Sequence, residues 1–263
     1  MIRVAVYFCL AVGLAAASFF IKNPIWFNLA IGASSGLSIP FFESIVNNLT
    51  AIRYIYYSLR FYGVDVRIST SYLFRVKIDG RYLLIRGRRF PDQFQPVGGV
   101  HKVSFSGRQF LAGIGAVDDD LVPIDQHSAD DMRIRIKGRY LLSFYNWFKS
   151  REGREDSPWR EFHEELIDSG IVRGVEFPFT MQDFKGTLYD RIRVSPLANM
   201  REILIADIYE LLPNSAQAES FRQLIQSGVP EIIWVTAQDI LQGRMPAGSP
   251  AGTHIAPHAK KIL

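Results

Sequence analysis

Cysteine is almost missing from this sequence, since Cys9 is the single one among 263 residues. A lone thiol excludes an intrachain disulfide framework and a cysteine-based zinc site, and it makes a reducing compartment the default. Charge is missing in a patterned way. No Asp, Glu, Lys or Arg occurs in residues 4–21 or again in residues 24–42, and only Lys22 and Asn23 separate the two runs. The excess of either sign is also slight: the net charge of +4 and a pI near 9.2 suit an anionic ligand or a membrane surface without selecting either. With 48% hydrophobic residues the chain has material for one good-sized core and an appendage.

Each charge-free run approaches the ~20 residues that cross a hydrocarbon core. Arg3, the first run and Ala15-Ala16-Ala17-Ser18 also read as a cleavable signal peptide, and the second run, with Asn28, three serines and Pro40, reads alternatively as a buried globular helix. A second run so close behind the first favours a helical hairpin, with two transmembrane helices over residues 4–21 and 24–42. Arg53, Arg60 and Arg67 follow the second run while Lys22 stands alone in the turn, so both ends are expected to be cytoplasmic. Gly32-xxx-Gly36 and Gly13-xxx-Ala17 have the small-xxx-small spacing that lets membrane helices approach each other. Ile45, Leu49, Ile52, Tyr56 and Leu59 then recur at helical spacing up to Gly63, which predicts a stalk continuing the second helix, either at the headgroups or against the soluble domain.

Beyond the stalk, Tyr72, Phe74, Val76 and Ile78 alternate with more polar residues, Asp79-Gly80 makes a turn, and residues 81–87 return as the second strand of a hairpin. Further strands are expected over residues 132–137, 175–180, 187–194, 202–210 and 231–235. Helices are expected over residues 140–149, 215–226 and 236–241, a loop over 118–131 and a disordered tail from Gly243 onward. Between them, Ser157-Pro158 opens a helix that Gly170 closes. On it Glu161, Glu164, Glu165 and Asp168 share one face, while Trp159, Phe162 and Leu166 point elsewhere. Crowded carboxylates repel, so the face is either simply solvated or a site for a hard cation such as Mg²⁺ or Mn²⁺. Spacing alone does not choose between these.

The order of residues adds to this reading. Arg160-Glu161-Phe162-His163-Glu164-Glu165 resembles the R-E-U-x-E-E core of the Nudix box, and Pro96-Val97-Gly98-Gly99-Val100 resembles the glycine segment ahead of it. The resemblance implies an α/β/α sandwich in which Glu161, Glu164 and Glu165 hold the divalent metal and catalyse hydrolysis of a nucleoside diphosphate linkage, with Arg160 as their brace. Gly98 and Gly99, together with Arg86, Arg88 and Arg89 at the end of the second strand, are the candidate ligand-binding residues. The sequence departs from the box in three places. Residues 100–159 separate Gly99 from Arg160 where the family has a short spacer, Glu152 stands at the spacing of the box's first glutamate without its glycine, and residues 166–169 lengthen the helix before Gly170.

The combination of hairpin, stalk and interrupted Nudix domain resembles the two-transmembrane effectors with a SMODS-associated Nudix domain, found in bacterial cyclic-oligonucleotide antiphage (CBASS) systems. That resemblance implies residues 1–63 as membrane hairpin and stalk, 64–242 as the Nudix-like domain and 243–263 as the tail. It further implies a cyclic nucleotide made by a partner nucleotidyltransferase as ligand, homo-oligomerisation on activation, and disruption of the inner membrane leading to cell death. The alternative function is a membrane-anchored, Mg²⁺-dependent Nudix hydrolase of a nucleotide.

Overall fold

The computed structural model describes residues 2–119, 130–195 and 199–263. In chain order it contains α1 (Ile2–Ser18), α2 (Pro24–Asn47), α3 (Leu49–Arg60), β1 (Asp65–Arg75), β2 (Lys77–Ile78), β3 (Arg81–Arg86), β4 (Gln93–Gln95) and β5 (Gly98–Val100). Next come α4 (Phe105–Gly113), β6 (Val117–Asp118), β7 (Arg133–Lys137), α5 (Leu141–Ser150) and α6 (Trp159–Phe162). The chain continues through β8 (Met181–Tyr189), β9 (Arg193–Val194), β10 (Arg201–Leu212), α7 (Ser215–Ser227), β11 (Ile232–Thr236), α8 (Ala237–Gln242) and β12 (His254–Ile255). Of the loop expected over residues 118–131, residues 120–129 lie outside the described ones.

The Asn23 side chain caps α2 by accepting the Ile25 N–H, and Pro24 supplies the first helical residue without wasting a donor. By length and composition α2 is able to cross a membrane, whereas the apolar part of α1, Val6–Ser18, is shorter. The two lie side by side: Ser34 Oγ donates to the Ala11 carbonyl at 2.9 Å and the Phe8 and Phe41 rings are 5.4 Å apart. Gly13, Gly32 and Gly36 have open space where a Cβ would stand, so this pairing does not use the small-xxx-small positions.

Asn48 interrupts the helix, and α3 follows as a separate, amphipathic piece. Tyr54 and Tyr57 are buried while Tyr56 and Leu59 are exposed, so the stripe packs on the soluble domain. Its platform is the inserted helix α5. The Tyr54 and Tyr145 rings stand 4.8 Å apart, the Leu142 N–H donates to Ser58 Oγ, and Arg53 reaches the Tyr189 carbonyl. Gly138 lets the chains meet, since a Cβ there would lie 2.0 Å from the Phe61 carbonyl oxygen.

The domain is a mixed α/β structure with two sheets. The larger has the strand order β6-β7-β1-β10-β8, with β5 also on β1 and β9 also on β10; the smaller has the order β11-β3-β4-β12, with β2 on β3. At the centre β1 and β10 run parallel from Val66↔Arg201 to Arg75↔Glu210, and the expected hairpin forms with Ile78 opposite Arg81. Alternate residues of the same strands feed different cores. Phe74, Leu83 and Tyr209 pack with Phe162 of α6 and Phe221 of α7, whereas Leu73, Leu84 and Ile208 pack with Ile240 of α8. A third core joins Ile68 and Ile134 to α3 and α5.

Three expectations are corrected. The strand expected over residues 187–194 is divided, since β8 ends at Tyr189 and β9 is Arg193–Val194. Residues 175–180 do not form a strand: a 3-10 turn at Gly174–Glu176 precedes Pro178, Phe177 turns into the core, and β8 begins at Met181. The tail expected to be disordered is folded. His254 and Ile255 pair in parallel with β4, Pro257–Ile262 forms a 3-10 helix, and Arg75 donates to the carbonyls of Ile262 and Leu263. The misleading signal was local, because the prolines and glycines of residues 246–252 give way to Ile255, Ala256, Ala259 and Ile262, all of which are buried, and Pro257 opens the 3-10 helix among them. Truncating Ile262→Ala should therefore cost about 2–5 kcal/mol of stability in denaturant unfolding. A change within 0.5 kcal/mol, roughly what an exposed site gives, would mean that the tail does not contribute to the core.

Candidate functional site

The acidic helix is shorter and wider than the expected one. Four α-helical residues of α6 pass into a π turn at His163–Ile167, in which the Asp168 N–H bonds to the His163 carbonyl five residues back. The wider turn removes Asp168 from the acidic face, and its carboxylate lies 3.2 Å from His163 Nδ1 instead. Ser157 accepts weakly from the Trp159 N–H, and Gly170, at φ 75°, ends the segment as expected.

One guanidinium organises what remains. Arg160 Nη1 donates to Glu161 Oε1 at 2.7 Å and to Glu164 Oε1 at 3.2 Å. Its Nε and Nη2 donate to the two oxygens of Glu155, and Nη2 also reaches the Tyr72 hydroxyl and the Val100 carbonyl. Burial works against the Arg160 charge, but the bonds from Glu155 and the surrounding carboxylates outweigh it and hold its pKa above the usual arginine value. Burial pushes the Glu161 carboxyl up, reinforced by Glu164 and Glu155 and opposed by Arg160.

Glu165 lies apart from this cluster. It is buried, its Oε2 accepts the Gly98 N–H at 2.8 Å, and burial raises its pKa to about 8. At the neighbouring Gly99 a Cβ would lie 2.1 Å from the Glu161 carboxyl carbon and would displace that side chain from its present position. Both glycines thus sit beside the acidic turn, although their close neighbours are Tyr72 and the two glutamates. The three arginines separate. Arg88 donates to the Glu164 carbonyl at 2.6 Å, Arg86 lies over the Phe94 ring with a bond to the Pro91 carbonyl, and Arg89 is exposed.

Several residues of the surrounding network escaped the sequence. Glu155, not Glu152, braces Arg160; Glu152 is exposed, and Arg151 and Gly153 take positive φ on either side of it, so counting back from Arg160 misses the register. Next to Glu155, Arg154 Nη2 donates to Asp207 Oδ2 at 2.9 Å in a fully buried pair. Asp207 also holds His101 Nε2 at 3.2 Å and accepts from Thr187 Oγ1 at 2.6 Å. Burial opposes the Asp207 charge, but these partners outweigh it and keep the carboxylate's pKa low, while burial lowers that of His101. No local motif marks these residues, which lie far apart in the chain.

Residues 65–263 match the family model of the SMODS-associated NUDIX domain. The chain belongs to this family. A search of the curated proteins finds no match. Nudix domains commonly use divalent metals, and the donors required are present here in Glu161, Glu164 and Glu165. Their arrangement does not fit an ion. Among the described residues no three Asp, Glu, His or Cys side chains gather in a way that could hold a metal. Arg160 occupies the space between Glu161 and Glu164, and Glu165 is committed to Gly98. In this SMODS-associated Nudix domain the Arg160 guanidinium is the cation paired with Glu161 and Glu164.

The raised pKa of Glu165 has a consequence for stability. Below about pH 4.5 the group is protonated whether the chain is folded or unfolded; between there and pH 8 the unfolded chain releases the proton while the folded one keeps it, so stability falls as pH rises. Glu165→Gln, which retains an acceptor for Gly98, should gain on the parent by roughly 1–3 kcal/mol between pH 5 and pH 8. A stability difference that does not change with pH in thermal unfolding contradicts the buried, protonated assignment.

Proposed function

We propose that the chain is the membrane effector of a bacterial cyclic-oligonucleotide antiphage (CBASS) system. Its Nudix domain binds a cyclic nucleotide made by a partner nucleotidyltransferase. The bound form assembles into a homo-oligomer, and the N-terminal helices, spanning the inner membrane twice with both termini cytoplasmic, disrupt that membrane and kill the infected cell. Membership of the SMODS-associated family supports the system. One structural observation carries the reading of sensing coupled to output: the inserted segment that supplies Glu155 to Arg160 also supplies α5, on which α3 rests.

Arg160 is only partly buried, with 28% of its side chain exposed, so an anionic ligand can compete with Glu155 for it. Movement of Glu155 would be passed through Arg154 and α5 to α3, which directly follows the apolar helix α2. Energetically, a ligand shifts the population towards assembly only by binding the assembled state more tightly. The scheme runs on differential binding and requires no bond of the ligand to break.

The test is purified full-length protein in dye-loaded liposomes of anionic bacterial lipid, challenged with cyclic di- and trinucleotides. One of them should raise leakage at least tenfold while being recovered intact, with Glu161→Gln retaining most of the response. Absence of leakage with every cyclic nucleotide, or consumption of the nucleotide without leakage, overturns the proposal, and the second result would instead support a membrane-anchored hydrolase.

A further inference from the structure

Behind the acidic turn a cleft of about 300 Å³ opens between the β3 end with the loop after it and the π turn. Ile85, Pro91 and Ile171 give it apolar walls. Arg86 and Arg88 stand on the loop side, with Glu165, Ser169 and Glu231 completing the lining. Glu165 therefore belongs to both regions: its Oε2 accepts the Gly98 N–H, and the residue is part of the cleft lining.

The shape and chemistry narrow what could enter. The volume is at the lower end of the roughly 300–1,000 Å³ of small-molecule sites, enough for one planar ring system and too small for a whole cyclic oligonucleotide. Apolar walls suit the faces of such a ring. Glu165, Glu231 and Ser169 in the lining supply acceptors for an edge rich in N–H groups. Arg86 is already oriented by the Pro91 and Pro230 carbonyls and the Phe94 ring, and Arg88 by the Glu164 carbonyl, which leaves the N–H groups not used in these bonds to meet a phosphate.

We infer that this cleft is a base-recognition subsite, which takes one nucleobase of a nucleotide ligand with the adjoining phosphate against Arg86 and Arg88. The inference rests on the nucleotide-binding reading above and adds to it where one base is held and by which groups. Exposed Ser169 is the position from which the cleft can be blocked.

The experiment measures binding of AMP, GMP, cyclic di-AMP and cyclic di-GMP to the full-length protein in detergent by isothermal titration. Ser169→Tyr fills the cleft, and Ser227→Tyr places the same bulk on exposed α7 as a control. The tightest probe should bind Ser169→Tyr at least tenfold more weakly than the parent and Ser227→Tyr equally well. Glu231→Gln, at an exposed position, should change the ratio of adenine to guanine affinities at least threefold, which decides the matter if Ser169→Tyr fails to fold. Parent-like affinity in a folded Ser169→Tyr, or an unchanged ratio in Glu231→Gln, overturns the subsite while the sensor reading stands. A parent that binds none of the four probes overturns the nucleotide reading and the subsite with it.

Discussion

Arg160 is shared between two sets of acceptors that belong to different parts of the chain. On one side are Glu161 and Glu164 of its own helical segment, and on the other is Glu155, the end of the long insertion, together with the Tyr72 hydroxyl of β1. The fork geometry of a guanidinium allows it to serve both sets at once, which a lysine could not do. The acidic face, the insertion and the central sheet are therefore fixed relative to one another by a single charge. The same charge offsets the mutual repulsion of Glu155, Glu161 and Glu164.

A second charge cluster holds the insertion from beneath. Arg154 and His101 meet at Asp207 on β10, all three side chains nearly or wholly out of solvent. Such a buried group is expensive to form and more expensive to break, because removing one partner leaves another unpaired. Its value here is positional: it secures the residue adjacent to Glu155. From that anchor α5 extends to the cluster of Tyr54, Tyr145 and Tyr189, where the stalk helix rests. The insertion is thus a structural bridge with one foot at the Nudix site and the other beneath α3.

How much of this was legible in the sequence depended on the range of the interaction. Asp79-Gly80, the alternation before it and the helix pattern over residues 215–226 are local signals, and they form where they were read. The tail misled because its prolines and glycines gave a local signal of disorder, whereas Ile262 is ordered by Arg75 and a core assembled from distant strands. Likewise Glu155 could not be separated from Glu152 by counting, since the backbone reverses locally between them. The His101–Asp207–Arg154 cluster brings together residues from β10 and both ends of the insertion, and nothing at any one of those positions announces the others. The Nudix-box order identified the family, yet only the three-dimensional arrangement shows that Arg160 pairs with Glu161 and Glu164 while Glu165 turns to Gly98.

The central claim is that the Nudix site and the stalk respond as one unit through the insertion. Hydrogen–deuterium exchange on the full-length protein in nanodiscs, with and without a saturating cyclic nucleotide, tests it most directly. The account predicts that exchange changes together in the segment around Glu155 and Arg160, in α5 and in α3. A ligand that alters exchange around Arg160 while leaving α5 and α3 at their unliganded rates would contradict it.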